Sequence, residues 1–294
     1  MAKVARSLDG RVVAITGGAR GIGRATAEAL VRKGARVAIG DLDFELATKT
    51  AEELGGGTVA LELNVTDRES FDRFADGVEN QLGPLDVLIN NAGIMPLGAL
   101  KDETDETARR QIDINLHGVI FGTKIAMNRM VLRRSGHIVN IASMAGKGGF
   151  PHGATYCATK HGVVGLSEAA YQELMGTNVE ISWVMPGVVN TELASGLGKA
   201  RGVETVEPED VADAIVEALE FPRPEVFVPK IAGRINKVMA AAPRGFRLWI
   251  ARALKADRVL VEVDANRRAS YEDRAAHSEP GVEPSPAKRE KIPA

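Results

Sequence analysis

Tyr156 and Lys160 stand four residues apart in Tyr156-Cys157-Ala158-Thr159-Lys160. On a helix that spacing puts both side chains on one face. A phenol with an ordinary pKa of about 10 is a poor base near neutrality, and a neighbouring cation favours its ionised form. Such a pair could give a proton to an oxyanion or take one from an alcohol. Alone, it is more often a tyrosine lying beside an exposed lysine. Ser143, 13 residues before Tyr156, closes an apolar run; by itself it is a strand-end serine satisfying a backbone group. Asn115 alone is a helix-interior asparagine.

A second group suits phosphate. Thr16-Gly17-Gly18-Ala19-Arg20-Gly21-Ile22-Gly23 follows one apolar run and opens a helical pattern. A pyrophosphate needs backbone N–H groups at a helix N-terminus and no side chains blocking its approach. Glycines at 17, 18, 21 and 23 permit both the turn and the approach. A bare glycine-rich turn is weak on its own. Asp41, 18 residues beyond Gly23, ends the second apolar run. An acid there accepts hydrogen bonds from both ribose hydroxyls and repels a 2′-phosphate, which favours NAD over NADP. Arg20 is the competing signal, because a base beside the turn could reach a 2′-phosphate; otherwise it is a solvated or helix-packing arginine.

These residues need elements to hold them. Short apolar runs at 11–16, 36–40, 58–64, 86–90, 137–141, 179–184 and 225–228 alternate with helical patterns such as 22–33 and 44–54. Continuous runs like VVAIT and DVLIN are what strands buried on both faces look like. Asp67 sits where a helix starts, and Gly34 and Gly55 sit where helices stop. The expected fold is α/β: a Rossmann-like, doubly wound parallel sheet of about seven strands flanked by helices, with a helical C-terminal extension. The expected division is a dinucleotide-binding catalytic domain at 1–229, a basic amphipathic helical extension at 230–270 and a disordered tail at 271–294.

Composition excludes several function classes. With 45% hydrophobic and 26% charged residues over 294 positions, the chain has ample core for a globular enzyme. A formal net charge of -2 gives no reason to expect a nucleic-acid partner. One cysteine, Cys157, excludes an internal disulfide framework. It reads as a small packing residue, and no Cys/His cluster has metal-ligand spacing. No secretory h-region or spanning run is visible, so a cytoplasmic protein is expected.

From 8 to 229 the chain resembles the short-chain dehydrogenase/reductase family. TGGARGIG is similar to that family's cofactor turn and Asn90-Asn91-Ala92-Gly93 to its NNAG segment. Asn115, Ser143, Tyr156 and Lys160 match its catalytic asparagine, serine, tyrosine and lysine, and Pro186-Gly187-Val188-Val189-Asn190-Thr191 its PG segment. Six segments in order carry the resemblance. It implies transfer of a hydride between NAD(H) and a secondary alcohol or ketone, with Tyr156 as general acid/base. Ser143 would hydrogen-bond the substrate oxygen, Lys160 would hold the nicotinamide ribose, and Asn115 would help hold a proton-carrying water chain. Cofactor contacts are implied at Gly17, Arg20, Gly21, Ile22, Gly23 and Asp41, then at Asn64, Val65, Asn91, Ala92 and Gly93. Tyr156, Lys160, Pro186, Gly187, Val189 and Thr191 complete them. Asn64 departs from the family's usual aspartate beside the adenine, although its amide oxygen still accepts a hydrogen bond.

The resemblance puts a substrate loop at 192–206 and an apolar pocket at Met95, Met144, Phe150, Val188, Leu193 and Leu197, with a lipophilic alcohol or ketone as the expected substrate. It also implies a homodimer or homotetramer built on the helix carrying Tyr156. Between 230 and 260 the chain has eight Lys/Arg and one acid. Within it, Phe246, Trp249, Ile250, Ala253 and Leu254 repeat at helical spacing. That segment reads either as a helix capping the pocket or packing on a second subunit, or as a peripheral membrane contact. Two other functions compete with the main reading. One is an NADP-linked 3-oxoacyl-type ketone reductase, which Asp41 disfavours. The other is a non-catalytic dinucleotide-binding protein, which would not need the complete Asn115, Ser143, Tyr156 and Lys160 set.

Overall fold

The structure, a computed structural model, describes residues 4–198 and 205–278. Seven strands form one parallel sheet: β1 (Val12–Thr16), β2 (Arg36–Asp41), β3 (Val59–Glu62), β4 (Val87–Asn90), β5 (Gly136–Ile141), β6 (Val179–Pro186) and β7 (Glu225–Val228). Their order is β3-β2-β1-β4-β5-β6-β7. The strand order reverses between β1 and β4, so a crevice opens beyond the carboxyl ends of those two strands.

Strand residues alternate between two cores. Val13, Ile15, Val37, Ile39, Ile89 and Val139 pack on one face. Val12, Ala14, Ala38, Leu88, Ile138 and Ile181 pack on the other. Burial on both faces explains why the strands read as unbroken apolar runs rather than as alternating patterns. Helices α1 (Gly21–Arg32), α2 (Phe44–Leu54) and α7 (Pro208–Glu220) contribute to the first core, and α3 (Arg68–Leu82), α5 (Gly118–Arg133) and α6 (Ala154–Glu173) to the second. Asp67 caps α3 by accepting from the Glu69 N–H at 2.9 Å. Strand β6 runs two residues beyond the expected end because Met185 and Pro186 pair with Phe227 and Val228.

Helix α4 (Asp105–Ile112) continues into α5 through one π-helical stretch, Asp113–His117. Wider turns of this kind recur at functional sites. This one carries Asn115.

After β7 come α8 (Lys230–Ala241), α9 (Arg244–Ala253), a 3-10 turn at Ala256–Arg258 and α10 (Ala265–Ala276). The tail boundary expected at residue 271 is therefore wrong for its first residues. Helix α10 continues to Ala276 because Asp264 caps its start and Tyr271 and Ala275 are buried in the second core. The rest of that expected tail, from 279, lies outside the described residues, as do 199–204 of the expected substrate loop. Among the described residues, no helix is long and apolar enough to cross a membrane.

Candidate active site

The carboxyl end of β1 and the N-terminus of α1 form the first half of the site. Gly17 and Gly21 adopt positive φ, 65° and 54°. A Cβ on Gly23 would stand 2.2 Å from the Gly17 carbonyl oxygen, and one on Gly17 would stand 2.9 Å from Ala92 Cα. The turn is closed so tightly that side chains would break it: Gly17 and Gly18 donate to the Gly40 carbonyl, and the N–H groups a helix N-terminus offers to an anion are those at the start of α1. Asn91 locks the turn from β4, donating from Nδ2 to the carbonyls of Thr16 and Gly17, both at 2.9 Å. Thr16 Oγ1 accepts from the N–H groups of Asn91 and Ala92 at 2.9 and 3.0 Å. Thr16 thus does as much as the glycines to fix the crevice, and its sequence context assigns it no role of its own.

Asp41 ends β2 with its carboxylate turned to the glycine turn, accepting from the N–H groups of Ala19 (3.1 Å) and Asp43 (3.2 Å). Burial raises its pKa, and those two bonds oppose the rise. Arg20 is paired with acids, 2.5 Å from Asp43 and 3.4 Å from Glu192. Thr191 reaches the turn from the opposite side: a Cβ on Gly21 would meet its Cγ2 at 3.4 Å. Gly187 donates to the Val228 carbonyl at 2.8 Å, tying the segment after Pro186 to β7. Val189 is bridged to Val206, and Ile22 packs on the first core. Farther out, Asn64 Oδ1 accepts from the N–H and hydroxyl of Thr66. Val65 packs against Gly118.

The second half is built on α6. Ser143 favours the ionised form of the Tyr156 hydroxyl, and its Oγ accepts from the Ala145 N–H at 3.1 Å. Lys160 Nζ lies 5.7 Å from the Tyr156 ring centroid and donates to the Ile141 carbonyl at 2.9 Å. Both residues are buried. Burial disfavours the charged form of each, so the Tyr156 phenol is pushed up to about 12 and the Lys160 ammonium down to about 8. The sequence-based expectation of a phenol lowered by its lysine neighbour is therefore reversed in sign here. Desolvation is the larger effect, and Ser143 only partly offsets it.

Asn115 joins the two halves. Its Oδ1 accepts from the Ile94 N–H and its Nδ2 donates to the Ile94 carbonyl, both at 2.8 Å. Nδ2 also reaches Thr159 Oγ1 at 3.3 Å. A Cβ on Gly93 would lie 3.2 Å from Asn115 Oδ1 and 3.7 Å from Lys160 Nζ. The NNAG segment, the π turn and α6 thus converge on one spot. Tyr156 shares an apolar cluster with Met95, and Phe150, Val188, Leu193 and Leu197 pack against it. Met144 does not join them. It packs in a separate cluster around Val163, Trp183 and Met185, while its neighbour Ala145 joins Tyr156.

Against this geometry, a family model described as short chain dehydrogenase matches residues 11–202. The chain belongs to the short-chain dehydrogenase family. Among its relatives, the sorbitol dehydrogenase of Cereibacter sphaeroides is 41% identical over 191 residues, covering 65% of this chain and 75% of that protein. A 3-oxoacyl-(acyl-carrier-protein) reductase of Thermotoga maritima is 36% identical over 223 residues, covering 71% and 90%. Among solved structures, a short chain dehydrogenase/reductase from Burkholderia phymatum in complex with NAD superposes with a TM-score of 0.74. It is 25% identical, and the match covers 80% of this chain and 94% of that one. As a short-chain dehydrogenase, the chain is an oxidoreductase with a Rossmann-like nicotinamide-dinucleotide fold.

The family match stops at residue 202, and sequence reasoning misses residues beyond it that face the site. Val259 and Leu260 lie in the Tyr156 cluster. Arg268 and Tyr271 of α10 reach the backbone of Met95. The signal available is the spacing of Arg268, Tyr271 and Glu272, three and four apart on one helix face.

Proposed function

We propose that this enzyme transfers a hydride between NAD(H) and a lipophilic secondary alcohol or ketone, with Tyr156 moving the proton. The observation that carries the reading is the meeting of Ser143, Tyr156, Lys160 and Asn115 beside a glycine cradle that closes on itself. Gly17, Gly21, Gly23, Asn91 to Gly93, and Pro186 to Thr191 would hold the dinucleotide, whose nicotinamide supplies or accepts the hydride. In reduction the Tyr156 phenol donates its proton to the oxygen left by hydride addition. In oxidation the phenolate removes the alcohol proton. Ser143 holds the substrate oxygen and stabilises charge developing there. Lys160 favours the phenolate through its charge. Asn115 positions the loop that closes the site behind them.

Asp41 supports NAD as the cofactor. Its carboxylate is fixed beside Ala19, and the cation best placed to attract a 2′-phosphate, Arg20, is neutralised by Asp43 and Glu192. NADH is therefore expected to quench protein fluorescence at concentrations at least about tenfold lower than NADPH, and Asp41→Ala to narrow that gap. Tighter binding of NADPH by the unmodified protein would favour the ketone-reductase alternative instead.

The same reading places the enzyme in the cytoplasm as a homodimer or homotetramer that touches an anionic membrane surface. Helices α8 and α9 expose Ile231, Ile235, Val238, Phe246 and Leu248, and Trp249 is 64% exposed. The Phe246 and Trp249 rings stack with centroids 6.0 Å apart. Arg244, Arg247 and Arg252 share α9 with them. Apolar side chains flanked by cations suit the interface of an anionic bilayer. The full chain is expected to pellet with phosphatidylserine-containing vesicles, and the Phe246→Ser/Trp249→Ser variant to stay in solution; equal pelleting of both removes the membrane contact.

A further inference from the structure

The chain beyond β7 does more than pack on the catalytic domain. Arg268, 2% exposed, is among the largest fully buried side chains. Its NH1 donates to the carbonyls of Leu193 at 2.8 Å and Ser195 at 3.2 Å, and its NH2 donates to the Met95 carbonyl. Glu272 balances the charge at 2.5 Å, and the guanidinium carbon lies 4.7 Å from the Tyr271 ring centroid. Tyr271 adds the reciprocal contact, accepting the Met95 N–H at 2.6 Å. One buried fork therefore joins the loop after β4 to the loop after β6. A buried charge is tolerated only when its donors are satisfied, and here loop carbonyls satisfy them.

Backbone contacts extend the join. Gly198 donates to the Val259 carbonyl and Asp264 to the Gly196 carbonyl, each at 2.9 Å. Ser195 Oγ donates to the Arg267 carbonyl at 2.9 Å. Between these ties, Val259 and Leu260 enter the cluster that holds Met95, Ala145, Tyr156 and Cys157. Leu260 lies close over the start of α6, where a Cβ on Gly153 would meet its Cδ1 at 2.7 Å. The side chains of Val259 and Leu260 bring no polar atom to that cluster.

We infer that the segment 256–276 is the specificity wall of the substrate site. Leu260 and Val259 select secondary alcohols and ketones with an apolar substituent against polyols, and Arg268 is the positioning residue that holds the two loops to that wall. The inference rests on the proposed oxidoreductase reading and narrows its substrate class. A polyol pressed against Val259 and Leu260 would bury hydroxyls without partners, whereas an alkyl chain would lose only water. Discrimination of about 10–200-fold per position is the usual reach of such a wall.

The test is calorimetric binding of heptan-2-ol and of sorbitol to the full-length protein with NADH, followed by kcat and KM for both alcohols with NAD⁺. The unmodified protein is expected to bind heptan-2-ol and to prefer it over sorbitol. Leu260→Ser is expected to cut that preference by about tenfold or more, through affinity and KM rather than kcat, with NADH binding unchanged. Arg268→Met is expected to raise KM for heptan-2-ol and to speed hydrogen exchange at the Gly198 amide, which donates to the Val259 carbonyl, with Arg268→Lys intermediate. The exchange measurement needs no turnover, so it reads the clamp even where the hydride reaction fails. Intact NADH binding with no heptan-2-ol binding, a preference unchanged in Leu260→Ser, or Gly198 exchange unchanged in Arg268→Met overturns the wall and leaves the oxidoreductase reading standing. Loss of NADH binding in the unmodified protein would sink that reading instead.

Discussion

Tyr156→Phe is expected to lower kcat for alcohol oxidation and ketone reduction alike by about 10²–10⁴-fold, the usual contribution of a positioned general acid or base. The ring itself is not at risk. Tyr156 is 8% exposed inside an apolar cluster, which phenylalanine fills without a void. Only the hydroxyl and its interaction with Ser143 disappear, and Ser143 keeps the Ala145 N–H. The stability cost of losing one such interaction is about 1 kcal/mol. The glycine turn and Asp41 are untouched, so NADH fluorescence titration should give the same affinity as in the unmodified protein. A variant that binds NADH normally and turns over at an undiminished rate would show that the proton takes another route. One that loses NADH binding would show that the Tyr156 hydroxyl serves first as a cofactor contact. Measuring both directions separates the two roles, because the phenol serves reduction and the phenolate serves oxidation.

The residues behind that prediction are legible in the sequence itself, and the reason is physical. On a doubly wound sheet the groups proposed here for catalysis and cofactor binding lie at strand ends and at one helix spacing, so Gly17 to Gly23, Asp41, Asn91, Ser143 and the Tyr156/Lys160 pair leave a pattern in local sequence. The strands are legible because both faces are buried, which writes each as an apolar run. Long-range geometry leaves no such trace. Met144 is one residue from Ser143, yet it packs in another cluster while Ala145 beside it joins Tyr156. Arg268 is 75 residues from Leu193 and 173 from Met95. In sequence it is one cation in a charged helix, and only folding reveals that loop carbonyls, not water, accept its hydrogen bonds. The sign of the Tyr156 shift escapes the sequence for a related cause. Spacing announces the lysine, but desolvation depends on everything packed around the pair.

That desolvation sets the second large effect. With the phenol at about 12 and the ammonium at about 8, the first proton to leave the pair as pH rises comes off near 8. The two sites are coupled, so the species with one proton lost is shared between phenol/amine and phenolate/ammonium. Only the second form accepts the alcohol proton. Its share grows until the pair has lost one proton and then stays level, so kcat/KM for oxidation should climb with pH and flatten above about 8. Lys160→Met leaves a lone buried phenol. No cation favours its phenolate, and no second group limits the rise, so the profile should climb tenfold per pH unit across the accessible range. An opposite charge at this range is worth about 1–3 pKa units, so at pH 8 the variant should oxidise alcohol about 100-fold more slowly, the deficit narrowing as pH rises. Reduction by the phenol should suffer less near neutrality, because its proton is present in both proteins. The measurement is kcat/KM for oxidation between about pH 6 and 10 in the two proteins, a range set by ordinary protein tolerance. Parallel profiles displaced only in height would mean that Lys160 acts by holding the dinucleotide and not through the charge it places beside Tyr156.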